Sequence, residues 1–137
     1  GTVDGEQKLN LLKKAYAFLF PIIWEEPFGN VVIEALACGT PVITTPRGAM
    51  PELLTPECGF LCDSHEAFLA AIEEAQSIDP RACRDRVEKA FTHHRMAEDA
   101  LAYYRKIISD GKIRDGHPYC DSDMDPVELI YYENYKT

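Results

Sequence analysis

The sequence has few basic residues and no long apolar run. It contains 14 lysine and arginine residues against 23 acidic residues, which gives a formal net charge of −9. Because nucleic-acid binding needs a basic face for the phosphates, this charge argues against a nucleic-acid partner. No apolar stretch approaches the roughly 20 residues that cross a bilayer, and no signal-peptide pattern opens the chain. We therefore expect no membrane-spanning segment.

The sequence also lacks a disulfide framework. Its five cysteines are an odd number without a framework spacing. We interpret them as reduced thiols, which predicts a cytoplasmic protein. Cys58 and Cys62 are separated by three residues, but no histidines accompany them, so we expect no metal site there.

What the sequence does contain is a pattern of strand, helix and strand around residues 24–39. An apolar run at 17–20 ends at a proline, and a second apolar run at 41–44 follows Gly39, which stands where a helix C-terminal glycine belongs. Two buried strands joined by a helix predict a parallel sheet. The length of 137 residues fits one small α/β domain.

Other helices are predicted from capping residues and apolar spacing. They cover residues 4–15, 51–54, 65–76, 80–90 and 92–108, and a third short strand covers 59–62. In the first helix, an apolar face is predicted from Leu9, Leu11, Leu12 and Ala15. From residue 110 to 137 the pattern is lost, so we divide the chain into a domain at 1–109 and an acidic, tyrosine-rich extension.

Two carboxylates stand out near the central helix. Glu34 is the only charge between Val31 and Cys38, in a helix that is apolar nearly all round. Such a carboxylate needs a partner, a cavity or the one wet face of the helix. Glu26 lies eight residues earlier, in the loop after the first strand. Both can face the crevice beyond the carboxyl end of that strand, where open α/β sheets bind ligands.

The residues just before this helix suit an anionic or sugar ligand. Gly29 allows a ligand to approach the backbone closely, and free N–H groups at a helix N-terminus attract phosphate or sugar oxygens. Asn30 or the adjoining backbone could equally be a plain helix cap. After the second strand, Arg47 could meet an anion at the same crevice or pair with a surface carboxylate.

These motifs together resemble a known family. The spacing Glu26-x7-Glu34, with Pro-Phe-Gly inside it and Ala-Leu-Ala-Cys-Gly-Thr-Pro-Val-Ile directly after it, looks like the signature of the retaining group 1 glycosyltransferases of GT-B architecture. The segments at 47–53 and 59–61 also match that family at the expected distances. The resemblance covers roughly residues 2–108. It implies an α/β, three-layer Rossmann-like domain with a parallel sheet and C-terminal helices. That domain would be the donor-binding half of a GT-B fold, incomplete at its N-terminus.

The resemblance also implies a reaction, the transfer of a hexose from a nucleotide-diphosphate sugar with retention of configuration and without a cofactor or protein-bound metal. Glu34 would bind the ribose diol. Glu26, chosen over the neighbouring Glu25 by the x7 spacing, would contact the donor sugar as the catalytic residue. Further donor contacts would come from the backbone around Phe28, Gly29 and Asn30, from the Val3 backbone and from the Lys8 side chain near the nucleobase. Lys8 could equally be a surface lysine.

Two parts of that family would lie before residue 1: an N-terminal acceptor domain, and an arginine and a lysine that grip the diphosphate. We therefore expect the isolated chain to be inactive and to need the acceptor domain or a partner subunit. Its exposed interdomain face could drive self-association, and peripheral membrane contact of the full enzyme stays open. One alternative is a non-catalytic nucleotide-sugar-binding or assembly module. An unrelated Rossmann-like nucleotide protein is a weaker alternative, because no Gly-x-Gly-x-x-Gly motif follows a strand.

Overall fold

A computed structural model of the chain describes residues 2–110. Contacts divide the chain into two units, 1–96 and 97–137. The helices are α1 (Gly5–Lys14), α2 (Asn30–Ala37), α3 (Met50–Leu53), α4 (His65–Glu74), α5 (Pro80–Ala90) and α6 (His93–Asp110), and the strands are β1 (Phe18–Phe20), β2 (Val42–Thr44) and β3 (Gly59–Leu61). A 3-10 turn, Ala75–Ser77, follows α4. Within the second unit, the described residues 97–110 are the C-terminal part of α6.

The three strands form one parallel sheet in the order β1-β2-β3. In its register, Phe20 lies beside Thr44, which in turn lies beside Leu61. The carboxyl ends of all three strands therefore meet at one edge, as expected from the strand, helix and strand pattern. The loops that leave β1 and β2 begin at this edge.

Helices cover both faces of the sheet. Val42 belongs to an apolar cluster that includes residues of α2 and α5, such as Leu36 and Cys83. Its neighbour Ile43 belongs to a second cluster, with Ala71 of α4 and Ala75. Because successive side chains of a strand point to opposite faces, the two clusters lie on the two sides of the sheet. The predicted three-layer α/β, Rossmann-like fold with a parallel sheet is confirmed.

Glycines mark both ends of α2. Gly29 precedes the helix with φ 87° and ψ 60°, and Gly39 follows it with φ 82°, both in the left-handed region that favours glycine. At the C-terminal end, the Arg84 guanidinium donates to the Cys38 carbonyl at 3.4 Å. A side chain at position 39 would overlap that guanidinium. The C-terminal glycine predicted for this helix is confirmed.

The predicted apolar face of α1 is largely wrong. Only Leu12 is buried, whereas Leu9 is 42% and Leu11 is 55% exposed. The physical reason is that α1 packs mainly against α2, so only the side that holds Leu12 meets the core.

None of the helices within residues 2–110 combines the length and the apolar character needed to cross a bilayer. The extension predicted at 110–137 lies, from residue 111 onward, outside the described residues. The boundary between domain and extension stays a prediction.

The buried thiol of Cys83 makes stability depend on pH. Burial raises the pKa of this thiol from 9.0 to about 11. The unfolded chain therefore loses the proton first, and the stabilisation present below pH 9 is lost as the pH rises toward 11. We expect the free energy of unfolding to fall by up to about 2 kcal/mol over this range, measured by urea denaturation. In Cys83→Ala this fall should be smaller. If the free energy of unfolding decreased equally with pH in the variant and the wild type, the prediction would be contradicted.

Candidate functional site

The candidate site lies where β1 and β2 end. The Thr44 hydroxyl donates to the Phe20 carbonyl at 2.6 Å, and the Thr45 hydroxyl donates to the Ile22 carbonyl at 2.7 Å. These bonds hold together the starts of two loops, the β1 loop (residues 21–29) and the β2 loop (residues 45–49). The β1 loop carries Glu26 and leads into α2.

Glu26 is half-buried, and both its backbone and its side chain are held. Its carbonyl accepts the Ala49 N–H at 2.9 Å. Its carboxylate Oε2 accepts the indole N–H of Trp24 at 2.9 Å. The Trp24 ring also meets Phe20 edge to face, with centroids 6.2 Å apart. Trp24 therefore orients Glu26, a role that sequence reasoning missed, although a tryptophan two residues before the glutamate was a visible signal.

Glu25 turns toward the β2 loop. Its Oε2 accepts the Gly48 N–H, and its Oε1 lies 3.4 Å from Nη1 of Arg47. Of the two possibilities for Arg47, an anionic ligand or a surface carboxylate, the structure contains the second. The adjacent carboxylates Glu25 and Glu26 thus have different partners.

The N-terminus of α2 has no side-chain cap. Gly29 is the N-cap residue, and Asn30 is the exposed first residue of the helix. The proposed plain helix cap, Asn30 or the adjoining backbone, is thus present only in its second form, because the N-cap residue is Gly29. Its carbonyl accepts the N–H of Val32 at 2.9 Å. The two N–H groups before Val32 have no partner within the helix, since an α-helix leaves its first N–H groups unpaired.

Phe28 and Gly29 have different surroundings. Phe28 is 44% exposed and meets Phe91 edge to face, with centroids 6.2 Å apart. Gly29 is buried, and a Cβ there would lie 2.8 Å from Cε of Met50. The φ angle at this turn therefore favours a glycine, whereas the close contact is with the flexible end of the Met50 side chain.

Glu34 finds its partner in α1. Nζ of Lys8 lies 2.7 Å from Oε1 of Glu34, and the two side chains are 33% and 37% exposed. The pair is partly open to water, and Oε2 of the carboxylate is free of Lys8. Lys8 and Glu34 are 26 positions apart in the sequence and are in contact in the structure. The resemblance assigns both residues to the same ligand.

Val3 lies in the extended segment before α1 and is 38% exposed. The backbone N–H of Lys8 donates to the Asp4 carbonyl at 3.1 Å, which places Lys8 one turn into the helix. In the structure Lys8 is in contact with Glu34, whereas Val3 lies two residues before the first residue of α1.

Two cavities of the first unit lie away from this site. One of about 430 Å³ lies between β3 and α4 and is lined mainly by apolar residues such as Phe60 and Ala71. Another, of about 330 Å³, lies beside the C-terminal end of α2, near Cys38 and Arg84. Neither of these two cavities is lined by a predicted site residue. In residues 2–110, no three side chains converge as metal ligands.

Comparison with curated proteins finds glycosyltransferases. The chain is 36% identical over 107 residues to the D-inositol 3-phosphate glycosyltransferase of Mycobacterium sp. (strain KMS), covering 74% of this chain and 24% of that protein. It is 36% identical over 92 residues to the glycogen synthase of Mycobacterium tuberculosis (strain CDC 1551 / Oshkosh), covering 66% of this chain and 22% of that protein. The chain thus spans about a quarter of the length of these relatives.

Solved structures agree. AviGT4, a glycosyltransferase involved in avilamycin A biosynthesis, superimposes with a TM-score of 0.63 and 30% identity over 78% of this chain and 35% of that one. Sucrose-phosphate synthase from Thermosynechococcus elongatus superimposes with a TM-score of 0.62 and 29% identity over 80% of this chain and 30% of that one. The fold and the sequence lead to the same group of enzymes.

The family model described as "Glycosyl transferases group 1" matches residues 1–94. Because this match covers more than half of the chain, and because the relatives and the superimposed structures are glycosyltransferases, the chain belongs to the group 1 glycosyltransferase family.

Proposed function

We propose that this chain is the donor-binding part of an enzyme that transfers a hexose from a nucleotide-diphosphate sugar with retention of configuration. One observation carries the proposal: Lys8 and Glu34, both assigned to the donor by the resemblance, form an ion pair of 2.7 Å. They lie on adjoining helices, and α2, which bears Glu34, begins at an N-terminus without a side-chain cap.

Glu34 is proposed to bind the ribose of the donor. Lys8 contacts Oε1 and leaves Oε2 able to accept hydrogen bonds from the diol. The aliphatic stem of Lys8 would offer an apolar surface to the nucleobase near Val3.

Glu26 and the start of α2 are proposed to act on the sugar and the diphosphate. Glu26, oriented by Trp24, would accept hydrogen bonds from hydroxyls of the hexose. The backbone N–H groups around Phe28, Gly29 and Asn30 would donate to the diphosphate. Stabilisation of the charge that develops on the leaving diphosphate would then dominate the rate enhancement, and no metal or cofactor is required by this scheme.

The isolated chain is proposed to be inactive. It spans about a quarter of its relatives, and its charge of −9 disfavours a diphosphate. An acceptor domain or partner subunit would supply the acceptor site and the missing basic residues. The cytoplasm is the proposed location, which the free thiols of Cys38, Cys58, Cys62 and Cys83 support. The second candidate is a non-catalytic nucleotide-sugar-binding or assembly module.

The test is an NMR titration of the chain with uridine, guanosine and adenosine diphosphate sugars. We expect shifts near Gly29 and Glu34 that saturate with one base. In Glu34→Ala the affinity should fall by about tenfold or more, because a hydrogen bond to a charged group is lost. Over the titration, phosphorus spectra should show no release of nucleoside diphosphate from the donor.

The matched control is Glu73→Ala, which removes an exposed carboxylate from α4 and should leave the affinity unchanged. Saturable binding without any turnover supports the donor-binding proposal for the isolated chain. Absence of binding with all three donors, or equal binding by wild type and Glu34→Ala, would contradict it. Turnover by the chain alone would contradict its proposed inactivity.

A further inference from the structure

We propose that Glu25 is a positioning residue: it holds the β1 loop against the β2 loop and thereby sets how Glu26 meets the donor sugar. This inference rests on the proposed function for the role of Glu26. The contact between the two loops stands on the geometry alone.

The first support is that several hydrogen bonds and an ion pair join the β1 loop to the β2 loop at one place. The Glu25 carboxylate accepts the Gly48 N–H with one oxygen and pairs with Arg47 through the other. One residue further on, the Glu26 carbonyl accepts the Ala49 N–H at 2.9 Å. Two successive residues of the β1 loop thus bind successive residues of the β2 loop, Glu25 through its side chain and Glu26 through its backbone.

The second support is the lack of space between the loops. A Cβ built on Gly48 would overlap the backbone nitrogen, carbon and oxygen of Glu26. Gly48 also has φ 56°, a backbone conformation that favours glycine. The Glu26 backbone is therefore in direct contact with the Gly48 backbone. The Glu25 carboxylate adds a hydrogen bond to the Gly48 N–H.

The third support is that the two neighbouring glutamates have different partners. Each oxygen of the Glu25 carboxylate has a partner in the β2 loop. The carboxylate of Glu26 is bound only by the exposed indole N–H of Trp24 and keeps acceptor sites open. Glu25 therefore binds the β2 loop, whereas the half-buried Glu26 keeps acceptor sites for a ligand.

The test compares Glu25→Ala with Glu25→Gln, which keeps an acceptor for Gly48 but loses the charge that attracts Arg47. Exchange of the Gly48 and Ala49 amide protons with water is measured by NMR. In Glu25→Ala we expect about tenfold faster exchange at both amides, because a charge-assisted hydrogen bond is removed. Glu25→Gln should restore part of the protection, and Glu73→Ala should match the wild type.

A second measurement distinguishes a positioning role of Glu25 from a general loss of order in the two loops. The affinity for a nucleotide-diphosphate sugar is compared with that for the nucleoside diphosphate without the sugar. Glu25→Ala should weaken the first several-fold and leave the second within twofold, since Glu26 is assigned to the sugar and Glu34 to the ribose. An equal loss for both ligands, or unchanged exchange at Gly48 and Ala49, would overturn the inference.

The two proposals fail in different ways. If the wild-type chain binds no donor, the proposed function fails, and the exchange rates alone decide whether Glu25 holds the loops together. If the donor binds but Glu25→Ala changes neither readout, Glu25 is not the positioning residue and the proposed function stands.

Discussion

Gly48→Ala is expected to lower the free energy of unfolding by about 3 kcal/mol, as measured by urea denaturation. Two costs add. A non-glycine residue in the left-handed region costs roughly 1–2 kcal/mol. In addition, the new Cβ would overlap the Glu26 backbone, which, unlike a side chain, cannot move aside without shifting the β1 loop. The substitution should therefore also displace the amide resonances of residues 25 and 26.

The matched control is Gly5→Ala. Gly5 also has a positive φ, of 49°, but a Cβ there meets no atom within 4 Å. We expect a cost of about 1 kcal/mol, from the backbone conformation alone. If the two substitutions cost the same, the close contact between Gly48 and Glu26 does not exist in solution.

Leu36→Ala is expected to cost about 3 kcal/mol of the free energy of unfolding. Leu36 is fully buried in the cluster that joins α2 to the sheet and α5. Truncation removes apolar contacts and leaves a cavity, for which costs of about 2–5 kcal/mol are usual. Chemical denaturation of the purified chain measures the effect.

The same truncation at Leu11 is the control, because Leu11 is 55% exposed on α1. There we expect a change below about 0.5 kcal/mol. A large cost at Leu11 would mean that α1 packs against another part of the protein or against a second copy. A small cost at Leu36 would mean that α2 is not the centre of the core.

The backbone of the site was predictable because its signals are local. Gly39 and the two apolar runs beside it indicated a parallel strand, helix and strand, and the structure contains them. The helix predicted at 80–90 is α5, which begins at Pro80 and is capped by Asp79, whose Oδ1 accepts the Arg81 N–H at 2.9 Å. In each case one or two residues determine the backbone by their own conformational preference.

The partners of the side chains were not predictable in the same way. The bonds from Glu25 to Gly48 and Arg47 join residues more than 20 positions apart, and no local rule distinguishes Glu25 from Glu26. The pairing of Lys8 with Glu34 likewise depends on how α1 and α2 lie together. Only the family resemblance had assigned both residues to one ligand, and their role in binding stays a prediction.

The two ends of α2 differ electrostatically. At the C-terminal end, the Arg84 guanidinium lies on the Cys38 carbonyl and compensates the partial negative charge of the helix dipole. At the N-terminal end no side chain compensates the partial positive charge. The net charge of −9 repels anions at long range. The N-terminus of α2 has a positive potential that acts only at short range. An anionic ligand would therefore be retained at α2 after contact but not steered toward it.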